Sequence, residues 1–191
     1  RNAHGIIGPI SLDQFTPESL QQRIAANPLA SKAYKAGSKP RIAVVTNSTY
    51  DGLCYNAEKI ADEIGSAVDF LHFDEAWYAY AAFHPFYENH YGMAKGKPRE
   101  QDAIIFTTHS THKLLAAFSQ ASMIHVRNSA QRNLDAERFN ESFMMHTSTS
   151  PHYGVIAACD VASKMMEGDA GRSLVQEMHD EAIAFRRAML H

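Results

Sequence analysis

Thr107-Thr108-His109-Ser110-Thr111-His112-Lys113-Leu114-Leu115 follows the apolar run Ala103-Ile104-Ile105-Phe106 and precedes an amphipathic stretch. The pattern predicts a strand that ends in a loop holding hydroxyls, two imidazoles and one lysine. A lysine placed there, away from the usual solvated helix face, points to amine chemistry. Ser110 and Thr111 sit where the next helix would begin, a place suited to cradling a phosphate. A second stretch matches the first: Phe70-Leu71-His72-Phe73-Asp74-Glu75-Ala76-Trp77 reads as an apolar strand ending in a carboxylate. Adjacent strand residues point to opposite faces, so Glu75 cannot stand in for Asp74.

Outward from these two stretches the chain alternates strand and helix. Residues 1–15, with Gly5, Gly8 and Pro9 among isoleucines, suggest a strand leaving a loop. Thr16-Pro17-Glu18 starts a helix with a Thr cap, Pro at the first position and an acid near the positive dipole end. It should stop near Asn27-Pro28, before a polar surface loop over 31–40. Ile42-Ala43-Val44-Val45-Thr46 is a continuous apolar run, of the kind covered on both faces in a parallel sheet. Asn47 to Gly52 is its turn, and a crossover helix begins near Asn56. Further strands are predicted at 67–73, 103–108 and 123–126, the last too soon after Lys113 for a long intervening helix. Between the second and third, residues 78–101 are long, irregular and aromatic, as functional loops often are. Asn128 to Arg132 is a polar turn. Helices should follow at 135–145, at about 152–166 after a break and cap at Thr147–Pro151, and from Arg172 after Gly168–Gly171. This is an α/β pattern, a mostly parallel sheet with helical cover. Ligands in such sheets bind beyond the carboxyl ends of the strands, where Asp74, Lys113 and the Asn47–Gly52 turn all fall.

Composition narrows the class. A chain of 191 residues with 45% hydrophobic content suits one domain with a core. Eighteen basic against 21 acidic residues, a net charge of −3, argue against nucleic-acid binding. No apolar run approaches the roughly 18 residues of a membrane span, and no signal-peptide pattern opens the chain. Cys54 and Cys159 fall in segments that read as buried and form no disulfide framework, consistent with a reducing cytoplasm.

A lysine and an aspartate at the ends of neighbouring strands are the pair that pyridoxal 5'-phosphate requires. The lysine forms the Schiff base and the carboxylate keeps the pyridine nitrogen protonated. The His-Ser-Thr-His-Lys run at 109–113 resembles the bacterial ornithine/lysine/arginine decarboxylases, pyridoxal-phosphate enzymes of the aspartate-aminotransferase fold. So do TNSTYDGLCYN at 46–56, HFDEAWYAY at 72–80, SQASMIHV at 119–126, MMHTSTSPHYG at 144–154 and the opening Arg1-Asn2-Ala3-His4-Gly5-Ile6. The resemblance runs in order along nearly the whole chain. Members of that family are several times longer. It therefore implies that residues 1–191 are part of one cofactor-binding large domain of the transferase-like fold, with flanking N-terminal and C-terminal domains outside this chain.

What the resemblance implies can be stated residue by residue. Lys113 is the Schiff-base lysine, and burial beside the cofactor must free its amine. Asp74 binds the ring nitrogen through a charge-assisted hydrogen bond. Trp77 lies near the cofactor, Ser110 gives a hydroxyl to its phosphate, and His112 adds a hydrogen bond or charge there. Ser148, where the family usually has threonine, reaches the cofactor of the partner subunit in a homo-oligomer. The implied reaction is decarboxylation of a basic L-amino acid, with Phe73–Tyr78 nearer to the arginine and lysine enzymes than to the ornithine ones. The family's ring-stacking histidine, its phosphate turn and its acidic substrate pocket lie outside these 191 residues. The residues themselves leave alternatives. Lys113 could be a surface lysine, Asp74 a structural loop cap, Trp77 core packing and Ser148 a helix cap. Another pyridoxal-phosphate lyase or an aminotransferase would share the lysine–aspartate pair. A histidine-rich metal-binding or assembly domain would use His109 and His112 with His84, His90 or His152. His-x-x-His is a weak metal signal, however, and lacks a His-Glu-x-x-His motif beside it.

Overall fold

Four short strands make the sheet of the computed structural model, which describes residues 8–30, 32, 39–94 and 103–190. They are β1 (Ile42–Thr46), β2 (Phe70–Asp74), β3 (Ile104–His109) and β4 (Met123–Arg127), in that spatial order. β1, β2 and β3 run parallel, and β4 is antiparallel to β3. The predicted mostly parallel α/β sheet is therefore present. β4 can reverse direction because only α3 (Thr111–Leu114) and a short turn separate it from β3, too little chain for a crossover.

One face of the sheet holds the core. α2 (Ala57–Ile64) starts at Asn56, whose side chain accepts from Lys59 N, and buries Ala57, Ile60, Ala61 and Ile64. That i, i+3, i+4, i+7 stripe packs on Val45, Leu71, Phe73 and Ile105, with Phe15 closing the edge. Each fully buried aliphatic side chain there contributes about 1.5–3 kcal/mol. The other face is only partly covered. Phe106 packs between Phe70 and Phe139 of α4 (Ala136–His146), at ring separations of 5.8 and 6.0 Å, whereas Val44 is 60% exposed. β1 is thus apolar on both sides yet buried on one, contrary to the two-sided cover its sequence suggests.

Several boundaries differ from the sequence reading. Residues 8–15 hold a single 3-10 turn, Leu12–Gln14, instead of a strand, while residues 1–7 lie outside the described part. α1 (Pro17–Ala26) begins as predicted, with the Thr16 hydroxyl accepting from Ser19 N. Most of the loop over 31–40, and residues 95–102 with Gly96 and Pro98, also lie outside the described residues. Gly65–Ala67 is a 3-10 turn, so β2 begins only at Phe70. The break at 147–152 exists, but α5 (Tyr153–Met165) starts at His152 with no side-chain cap. Gly168–Gly171 does not end α5. It forms the first turn of α6 (Gly168–Ala188), because a Cβ on Gly171 would run into the Met166 backbone, and only glycine lets the two helix ends approach. Cys54 is exposed and Cys159 intermediate, both free thiols. The first lies in the turn after β1 and the second on a helix with exposed apolar residues, so an apolar neighbourhood in sequence did not mean burial. Among the described residues no helix is long and apolar enough to cross a membrane.

Candidate active site

The carboxyl ends of the three parallel strands lie in register, with Thr46 beside Asp74 and Asp74 beside Thr108. Hydrogen bonding continues one step past them. Asn47 N donates to the Asp74 carbonyl at 2.8 Å, and Glu75 N donates to the Thr108 carbonyl at 3.0 Å. Asp74 is therefore held by backbone on both sides at the rim of the sheet. Its side chain shares a face with His72, whose Nε2 lies 2.9 Å from the Thr108 hydroxyl.

β3 carries the lysine to the same rim. The strand extends through His109, further than its apolar run suggests, and turns at Ser110 into α3. Lys113 is exposed, so the burial its role calls for is not supplied by the described residues. Its ammonium sits 4.5 Å from the centre of the Trp77 ring, a cation–π contact. Trp77 is half-buried and meets Tyr50 edge-on at 5.3 Å, so it serves the rim and not the core. The chain segments after β1, β2 and β3 thus meet at one place through Tyr50, Trp77 and Lys113. Ser110 precedes α3 with no side-chain cap bond. His112 donates from Nδ1 to the Ala121 carbonyl at 2.8 Å, since a carbonyl only accepts. Its Nε2 is the nitrogen left for another partner. Ser148 stands apart in an exposed turn, where its hydroxyl accepts from Ser150 N at 3.1 Å.

Three histidines of the metal reading have other partners. His109 pairs with Glu75, His84 with Gln176, and His90 with the Glu88 carbonyl. Among the described residues no group of three or more His, Cys, Asp or Glu could hold a metal ion. Sequence reasoning placed the Asn47–Gly52 turn at this rim but gave no individual part in it to Asn47, Tyr50, Glu75 or Gly92. Glu75 carried a signal: strand alternation points it to the core face, where a carboxylate needs several donors.

A three-strand parallel rim, with a carboxylate at one strand end and an amine in the short helix after the next strand, defines an α/β protein whose polar rim lies at the carboxyl ends of a mostly parallel sheet. The sequence of residues 1–191 matches the family model described as Orn/Lys/Arg decarboxylase, major domain. The chain belongs to that family. It is 62% identical over 191 residues to the lysine decarboxylase LdcA of Pseudomonas aeruginosa, covering 99% of this chain and 25% of that protein. It is 52% identical over 190 residues to the biodegradative arginine decarboxylase of Escherichia coli, again covering 99% of this chain and 25% of the relative. The solved structure of lysine decarboxylase A from Pseudomonas aeruginosa superposes with a TM-score of 0.87 at 63% identity, over 96% of this chain and 24% of the other. The chain thus spans about a quarter of the length of the curated relatives it matches.

Proposed function

We propose that the full-length protein removes the α-carboxylate of a basic L-amino acid as carbon dioxide, with pyridoxal 5'-phosphate on Lys113. In this reading residues 1–191 form part of one cofactor-binding domain. What supports it is Asp74 as the last residue of β2, Lys113 in the short helix that follows the adjacent parallel strand β3, and the Trp77 ring against the Lys113 ammonium. The names of the two relatives favour lysine or arginine as substrate, lysine first by identity.

The residues present suit the cofactor. Asp74 is a carboxylate, an acceptor only, and would keep a proton on a ring nitrogen by accepting its hydrogen bond. Ser110, free of a cap bond, would donate to a phosphate oxygen, and His112 would add its Nε2. When bound, pyridoxal phosphate supplies an electrophilic carbonyl carbon and a ring that accepts an electron pair. Lys113 would hold the group through Nζ, would give up that bond to the substrate amine, and would carry the proton at Nζ until the product amine departs. Trp77 offers its ring face to the Lys113 ammonium at the rim. Ser148, in its exposed turn, would serve a partner subunit's cofactor in a homo-oligomer.

Borohydride reduction of the full-length protein, followed by peptide mapping, tests the attachment. The cofactor should become fixed to the peptide containing Lys113, and Lys113→Ala should abolish trapping while leaving the fold intact. Carbon dioxide release should be measured from lysine, arginine and ornithine in parallel. Full activity in Lys113→Ala would overturn the reading, and transamination without carbon dioxide would replace it by an aminotransferase.

A further inference from the structure

Glu75 is the residue after Asp74 and is fully buried, 0% exposed, at the edge of the core. A carboxylate in that position is costly unless donors converge on it. Three do, each from a different segment of the chain. Asn47 Nδ2, after β1, donates to Oε1 at 3.0 Å. Gly92 N, within the loop after β2, donates to the same oxygen at 2.8 Å. His109 Nε2, on the last residue of β3, donates to Oε2 at 3.1 Å, the only sense possible against a carboxylate.

Each donor is itself held. Asn47 is buried; its Nδ2 also reaches the His90 carbonyl at 2.9 Å, and its Oδ1 accepts from Tyr55 N at 2.8 Å. Gly92 approaches so closely that a Cβ there would lie 2.5 Å from Thr107 Oγ1 and 2.8 Å from the Phe73 ring. His109 packs against the His125 ring of β4 at 4.9 Å, and burial, with His109 beside it, pushes the His125 imidazole towards its neutral form. The turn carrying Ser110, His112 and Lys113 therefore starts from a residue anchored by Glu75 on one side and β4 on the other.

We propose that Glu75 is a positioning residue: its carboxylate ties the three strand ends together and, through His109, sets the turn that presents Lys113 opposite Asp74. This rests on the decarboxylase reading for its catalytic consequence, but the tie to the turn can be read without it.

The test uses the full-length protein, with and without cofactor. Glu75→Gln keeps an oxygen for Asn47 and Gly92 and removes the charge that His109 meets. His109→Gln, at the rim, is a second variant should the first fold poorly. In the apoprotein both should raise hydrogen exchange across 107–115 and leave exchange in α1 unchanged. In the loaded protein kcat per bound cofactor should fall on the order of 10- to 100-fold with KM little changed, as for a catalytic group displaced by an ångström or less. The double variant should be no worse than the worse single one. Wild-type exchange across 107–115 in both variants, wild-type kcat per bound cofactor, or losses that multiply in the double variant would each overturn the proposal. A wild-type protein that binds no cofactor and releases no carbon dioxide would sink the decarboxylase reading instead, while the exchange measurement still decides whether Glu75 holds the turn.

Discussion

Asp74 and Glu75 are neighbours of the same charge type with opposite duties, and the pleat separates them. Asp74 faces the rim with His72, half-buried, and among the described residues its side chain has one hydrogen bond, a long one of 3.4 Å from Ala76 N. Its acceptor capacity is thus largely unspent, as a residue that must receive a ring N–H requires. Asp74→Asn keeps the shape and removes the charge. In the proposed enzyme it should leave cofactor content near wild type and slow turnover by at least about a hundredfold, the range seen when one electrostatic partner of the reacting group is lost. Cofactor absorbance and kcat measured on the same sample check both halves, and wild-type turnover would remove Asp74 from the mechanism. Asp74, Lys113, Ser110 and Trp77 could be singled out in the sequence because residue type, position after a strand and the family resemblance all mark them. The contacts of Glu75, Asn47 and Tyr50 were not legible there, because they depend on segments meeting across 27 or 28 positions of chain, which no local pattern records.

Strands and helices were readable wherever one period ruled. The Thr16 and Asn56 caps, the α2 stripe and the three parallel strands all lie where local chemistry puts them. Local pattern failed where an element's limits are decided by a neighbour. Gly168–Gly171 has the composition of a terminator, yet it opens α6 because the adjoining helix end needs the space of the missing Cβ. The loop after β2 is the larger case. It reads as irregular and aromatic, but Tyr87 bonds His179 of α6 at 2.6 Å and Gly92 bonds Glu75, so it is strapped at two points. Gly92→Ala should therefore destabilise the protein by about 1–3 kcal/mol, since neither Phe73 nor Thr107 can move without disturbing the core. Gly8→Ala, where a Cβ meets nothing within 4 Å, is the matched control and should be nearly neutral. Denaturant melts of the two variants check this, and equal midpoints would show that the strap yields.

The sheet is gripped at both ends of its central strand by carboxylates in contrasting surroundings. Glu75 does this from within the core. Asp69, just before β2, does it at the surface, where Arg132 Nη1 approaches at 2.6 Å, Arg41 Nε at 2.8 Å and Lys39 Nζ at 3.5 Å. These cations come from the segment before β1 and the turn after β4, so one side chain links the two outer strands through the middle one. The hydrogen bond from Arg132, with the positive charges around it, holds the Asp69 carboxyl below its ordinary range. A depressed carboxyl stabilises the fold above the unfolded-state pKa, about 3.9, and that contribution is lost as pH falls through the lower folded-state value. Three cations on one partly solvated anion form a network, but screening limits its worth to about 1 kcal/mol. Asp69→Asn should then lower stability by about that amount at neutral pH and low salt. The gap should shrink in high salt and close as the pH drops well below about 4, where the native carboxyl is itself protonated. Urea melts of both proteins across that range provide the measurement. A gap that persists unchanged in acid would mean that Asp69 acts by shape alone and that charge does not join the outer strands.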